Sequence, residues 1–107
     1  MTKKPKRSRT LRREADRTEK KLLEARMTLS RLEPGGSAER PIEVSTASLV
    51  EPTARDMPCP ACGGSVRVLD HTAETIGGRR LRVAKVDCAR CGTCVLRYFT
   101  IAEPRLN

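Results

Sequence analysis

Apolar and small residues recur along the first third of the chain in a helical rhythm. Leu11, Ala15, Thr18, Leu22, Ala25, Leu29 and Leu32 follow at alternating intervals of four and three, and the positions between them are mainly charged or polar. This spacing predicts an amphipathic helix over residues 8–33 with one narrow apolar stripe. About three heptads of the same repeat meet the minimum for a coiled-coil seam. Leu22 and Leu29 would take one core position and Leu11, Thr18, Ala25 and Leu32 the other. Ala15, Thr18 and Ala25 put little side chain into that seam and make it weak. Pro34, Gly35 and Gly36 end the helix, because proline cannot continue it and glycine readily takes the backbone angles that terminate it.

The rhythm changes after residue 33. Residues 34–56 hold Pro34, Pro41 and Pro52 with scattered Ser and Thr, which predicts a linker, with Ile42 and Val44 alternating as in a short piece along a sheet edge. Farther on the period becomes two. Val66 and Val68 alternate from Ser65 to about His71, a turn falls near Gly77-Gly78, and Leu81, Val83 and Val86 mark a strand from Arg80 to Asp87. Another strand is predicted from Cys94 to about Ile101 through Val95, Leu96, Tyr98 and Phe99. The organisation expected is a basic tail and helix over 1–33, a linker over 34–56 and a three-stranded antiparallel domain over 57–107.

Composition limits how such a domain can hold together. The chain has 107 residues, of which 37% are hydrophobic, 2% aromatic and 33% charged. So polar and short a chain generally needs a covalent or metal staple. Five cysteines can supply it. No basic start followed by an apolar stretch of about 7–15 residues marks an export signal, and no run of about 18 apolar residues is present to cross a membrane. The expected location is therefore the cytoplasm, without membrane attachment. There thiols stay reduced, and paired cysteines bind metal more often than they form disulfides.

The cysteines fall into two like units, Cys59-Pro60-Ala61-Cys62-Gly63-Gly64 and Cys88-Ala89-Arg90-Cys91-Gly92-Thr93. Two residues between the cysteines permit a tight turn whose thiolates converge on one ion about 2.3 Å away. The glycine after the second cysteine allows positive φ and close backbone approach. Two such knuckles complete a four-thiolate shell, which predicts one Zn2+ held by Cys59, Cys62, Cys88 and Cys91. Four matched thiolates leave no open position for catalysis. Shells of four cysteines also hold iron, as in rubredoxin-like sites or iron–sulfur clusters, whereas redox use of one C-x-x-C explains only half of the pattern. Cys94 follows Cys91 with two residues between them and so could compete for the metal by ligand exchange, but Val95 follows it rather than glycine, which favours a spare thiol at the start of a strand. The lone histidine, His71, reads as a surface or strand-end residue.

With knuckle, hairpin, knuckle and strand in that order, residues 57–101 resemble the zinc-ribbon superfamily. The resemblance rests on Cys59, Cys62, Cys88 and Cys91 with Gly63 and Gly92. It implies a small metal-stabilised α+β protein with a structural zinc, and it leaves function open, since ribbons serve in transcription factors, polymerase subunits and ribosomal proteins. Ribbons of transcript-cleavage factors carry an acidic pair at the hairpin tip. Gly77, Gly78, Arg79 and Arg80 stand there in this chain, so that role is not expected.

Charge supplies the functional expectation. The formal net charge is +9, and residues 1–33 alone carry twelve Lys and Arg against five Asp and Glu. Lys3, Lys4, Lys6, Arg7, Arg9, Arg12 and Arg13 form one basic cluster and Arg79, Arg80 and Arg82 another. Both suit phosphate neutralisation on nucleic acid or a nucleoprotein. Only Tyr98 and Phe99 are available to stack on bases. The competing expectation is an adaptor whose helix 8–33 pairs with a partner protein or a second copy. No phosphate loop, nucleophile–base pair or open metal site marks an enzyme, and a non-enzymatic role is expected.

Overall fold

The computed structural model describes residues 7–102. Along the chain lie helix α1 (Ser8–Leu32), strand β1 (Ile42–Val44), a 3-10 turn (Ala47–Leu49), helix α2 (Val50–Asp56) and strands β2 (Val66–Ile76), β3 (Arg79–Cys88) and β4 (Cys94–Ile101). The chain is α+β, with the helix and the three strands expected from the sequence in place. The sheet differs from the expectation. It has four strands in the order β1-β4-β3-β2 and is mixed, because β1 lies parallel to β4 while the other neighbours are antiparallel. A three-stranded antiparallel sheet is thus corrected to a four-stranded mixed one.

The β2–β3 hairpin turns at Gly77 and Gly78, whose φ values of +58° and +79° suit the primed turns that match strand twist. A register shift between Val68 and Asp70 bulges β2. After this bulge, alternation resumes on the opposite parity. His71 and Ala73 therefore fall on the face that Val66 and Val68 occupied.

The main apolar cluster lies on one face of the sheet, while Leu81 and Val83, also buried, alternate to the other. Val44, Val50, Ala54, Ala61, Val66, Ala84, Val86 and Phe99 form the main cluster with Cys59 and Cys88, so two of the metal-type cysteines are also core residues. Segment 34–56, whose composition reads as linker, supplies part of this core. Val50 and Ala54 of α2 have no exposed surface, and β1 pairs Ile42 with Phe99 and Val44 with Ile101. Pro52 lies in the first turn of α2, where its missing N–H takes no intrahelical bond away.

Helix α1 docks by its second half. Met27 packs against the core, Ser30 is buried, and the Arg26 guanidinium donates to the Ala61 carbonyl at 2.9 Å. Arg97 of β4, itself buried, donates to the Ser30 hydroxyl at 3.3 Å. The helix stops against Gly36, where any Cβ would collide with the Ser30 carbonyl oxygen. The Gly35 carbonyl then accepts from the Tyr98 amide at 2.9 Å and fastens this corner to β4. The leucine stripe points elsewhere: Leu11, Leu22, Leu29 and Leu32 are each at least half exposed. One residue step turns a helix by about 100°, so Leu29 lies roughly a quarter turn from Ser30. No helix among the described residues is long and apolar enough to cross a membrane.

Candidate metal centre

Each knuckle is built by its own backbone. In the first, the Gly63 amide donates to the Cys59 carbonyl at 2.8 Å and the Cys59 amide to the Gly64 carbonyl at 3.0 Å. In the second, the Gly92 amide donates to the Cys88 carbonyl at 2.9 Å and the Cys88 amide to the Thr93 carbonyl at 2.9 Å. Gly63 and Gly92 have φ of +76° and +78°, the left-handed angles that a side chain would oppose. The antiparallel register then joins the two turns. Val66, just past the first knuckle, pairs with Cys88, the first ligand of the second.

The four sulfurs of Cys59, Cys62, Cys88 and Cys91 all lie within 4.8 Å of one another. Cys59 and Cys91 are 3.7 Å apart and Cys62 and Cys88 3.5 Å. A tetrahedron with metal–sulfur bonds of about 2.3 Å has edges of about 3.8 Å, so the two short separations fit a shared ion. Backbone amides point at the same sulfurs, from Gly64 to Cys62 at 3.4 Å and from Arg90 and Cys91 to Cys88 at 3.3 and 3.4 Å. Such donors stabilise negative charge on sulfur. At Gly64 the backbone comes close to the cluster: a Cβ there would stand 3.2 Å from both the Cys62 and Cys88 sulfurs, which would have to give by a few tenths of an ångström.

Proton affinities within the cluster diverge. The Thr93 hydroxyl, 3.1 Å from the Cys91 sulfur, and the Thr93 amide hold Cys91 down at about 6. Cys88 is lowered as well, chiefly by the Cys91 amide, with the Arg90 amide assisting against burial. For Cys62, the Gly64 amide acts downward. Hydrogen bonding to Cys88, Cys91 and Cys59 together with burial outweighs it and pushes the thiol up to about 12. The cluster thus holds a proton most tightly at Cys62 and gives one up most readily at Cys91. One metal ion could take the place of those protons, and its identity is not fixed by four thiolates.

Cys94 is exposed at the start of β4 and lies outside the cluster. His71 is half-buried with its Nε2 enclosed and without a partner. Arg97 is a feature that the strand pattern alone did not bring forward. Burial pulls its guanidinium below the usual arginine value, opposed by negative charge at Glu33 and Cys59. Its signal is its register: an arginine between Val95 and Phe99 at two-residue spacing occupies a position on the core face.

The predicted basic contacts fall in three places. Lys3, Lys4 and Lys6 lie outside the described residues. Arg7 precedes α1, and Arg9, Arg12 and Arg13 are exposed on its opening turns. Arg79 and Arg80 are exposed and Arg82 half-buried at the start of β3. Nine residue steps of about 3.3 Å place Arg79 roughly 30 Å along that strand from Cys88. Neither basic group therefore belongs to the cysteine cluster. No protein-family model matches the chain, and neither the curated proteins nor the solved structures give a match. The class defined by fold and site is therefore an α+β module with one candidate metal centre of four cysteines.

Proposed function

We propose that the chain is a non-enzymatic zinc-ribbon-like protein of the cytoplasm that associates with nucleic acid or a nucleoprotein through basic surfaces. Cys59, Cys62, Cys88 and Cys91 would hold one structural Zn2+. Closing four thiolates around it supplies folding free energy that so small a core lacks. Zinc is favoured over iron because a closed four-thiolate shell built by two C-x-x-C-G turns is the usual structural zinc arrangement. The observation that carries the nucleic-acid reading is the placement of charge. Arg9, Arg12, Arg13, Arg79 and Arg80 are exposed and Arg82 is half-buried, and none has a side-chain hydrogen bond or ion pair among the described residues. The ion pair of Arg67 with Asp87, at 2.7 Å, lies elsewhere.

A salt titration of the zinc-loaded chain on mixed cellular nucleic acid tests this reading. Affinity should fall with salt along a steep log–log line, by about 0.7–0.9 in slope for each phosphate neutralised. Replacing Arg9, Arg12 and Arg13 by Gln should flatten the slope by about two to three. Absence of binding at low salt would sink the reading. A second reading is favoured by the exposed Leu11, Leu22, Leu29 and Leu32 stripe: an adaptor in which α1 pairs with a partner helix or a second copy. It predicts weak salt dependence instead.

A further inference from the structure

The sheet divides at the end remote from the cysteines. The β3–β4 ladder runs antiparallel from Asp87 with Cys94 to Arg82 with Phe99 and stops there. Continued by one and two residues, the same register would set Leu81 opposite Thr100 and Arg80 opposite Ile101. Neither pair forms. The start of β3 stays with β2 instead, pairing Leu81 with Glu74 and Arg79 with Ile76. The end of β4 follows β1, with Thr100 on Glu43 and Ile101 on Val44. Two ribbons therefore part beyond Arg82 and Phe99, and no ladder joins them across the gap.

The gap is a cleft of about 580 Å³ lined by Arg79, Arg80, Leu81 and Arg82 on one wall and Thr100, Ile101 and Ala102 on the other. Alternation along β3 puts Arg80 and Arg82 on one face of the sheet and Arg79 on the other, and no carboxylate is among the described residues that line the cleft. The three arginines have no ion pair among the described residues. Like charges gathered together repel one another, and an anion entering among them lowers that cost. Guanidinium donors match the oxygens of a phosphate in fixed two-point geometry, better than they match chloride or a single carbonyl.

We infer that this split in the sheet is a binding site for a phosphoryl group, presented by a nucleotide or by the phosphate of a nucleic-acid strand. Arg80 and Arg82, two positions apart on the same face of β3, clamp the oxygens. This deepens the nucleic-acid reading for the hairpin end, yet stands on the cleft alone and does not require α1.

The test uses the zinc-loaded full chain, titrated with inorganic pyrophosphate and, separately, with a short single-stranded oligonucleotide, while backbone amide resonances are followed. Saturable shifts concentrated at Arg80–Arg82 and Thr100–Ala102 are expected. An Arg80→Gln/Arg82→Gln variant with unchanged zinc content should bind about tenfold or more weakly, since each charge-assisted contact is worth about that factor. Arg9→Gln/Arg12→Gln/Arg13→Gln should leave pyrophosphate binding unchanged. Binding of both probes at the cleft assigns recognition to the phosphoryl group itself, and binding of the oligonucleotide alone, with the same residues shifted, assigns it to a strand. Neither probe shifting these amides, or equal binding by Arg80→Gln/Arg82→Gln, overturns the inference. Loss of mixed nucleic-acid binding with pyrophosphate binding intact would instead remove the broader reading and leave the cleft.

Discussion

At the scale of single residues, the two knuckles were legible because every feature they need is local. A tight turn requires cysteines three apart and a glycine at positive φ, and Gly63 and Gly92 take that angle. What spacing could not reveal is how differently the four thiols hold their protons. Cys91 sits at about 6 and Cys62 at about 12, while Cys88 is lowered. The metal-free cluster therefore carries more protons than a metal-bound one, since ligating thiols must be thiolates. Zinc uptake at about pH 7 should release protons mainly from the thiols that are still protonated, with Cys62 foremost. As pH falls through about 6, Cys91 also becomes protonated and must be displaced. Affinity for zinc should fall as pH falls, and the fall should steepen below about pH 6 because one more proton competes. Calorimetry in buffers of different ionisation heat counts those protons. A count that does not rise as pH is lowered from about 7.5 to about 5.5 would contradict the assignment of the low value to Cys91.

Elements were legible in proportion to their length and regularity. The strands β2, β3 and β4 follow the alternation of Val, Leu and aromatic residues, and the hairpin follows Gly77-Gly78. Helix α2 was not legible, because seven residues give no helical period and Pro52 marks them as loop by composition. Strand β1 announced itself only through Ile42 and Val44, and its parallel pairing with β4 depends on partners as distant in sequence as Ile42 and Phe99. Helix α1 gave a clear stripe whose residues turned out to face solvent, while Met27, Ser30 and Arg26, with no periodic signal, made the seat. Substitutions separate these faces. Leu22→Gln and Leu29→Gln, both at exposed positions with comparable helix propensity, should change stability by no more than about 0.5 kcal/mol. Met27→Ala should cost about 1–2 kcal/mol, less than the roughly 2–5 kcal/mol of a fully buried methionine, since it is half-buried. Thermal melts of the zinc-loaded variants measure both. A large loss from the leucine changes would show that the stripe is covered by a second copy, and would move the adaptor reading ahead.

For the whole molecule, the cysteine cluster and the hydrophobic core are one structure. Cys59 and Cys88 are 3% and 2% exposed and belong to the same cluster as Phe99 and Val86, so these two thiols move only with the core, while Cys62 and Cys91 lie at its exposed rim. The first knuckle also carries an anchor of α1, through Arg26 on the Ala61 carbonyl beside Cys62. Removing the metal would take away the cation that draws the four sulfurs together, at a cluster where the thiols of Cys91 and Cys88 are both lowered. Chelation should therefore do more than loosen two turns. It should weaken the strand register at the Val66–Cys88 end, free the Ala61 carbonyl and release the seat of α1, in a single transition. Circular dichroism on addition of a strong chelator is expected to lose sheet signal and part of the helix signal together, and restored zinc should return both. A chelated protein that keeps its sheet and melts at an unchanged temperature would show that the apolar cluster alone suffices, and the metal would then be a passenger in a fold that stands without it.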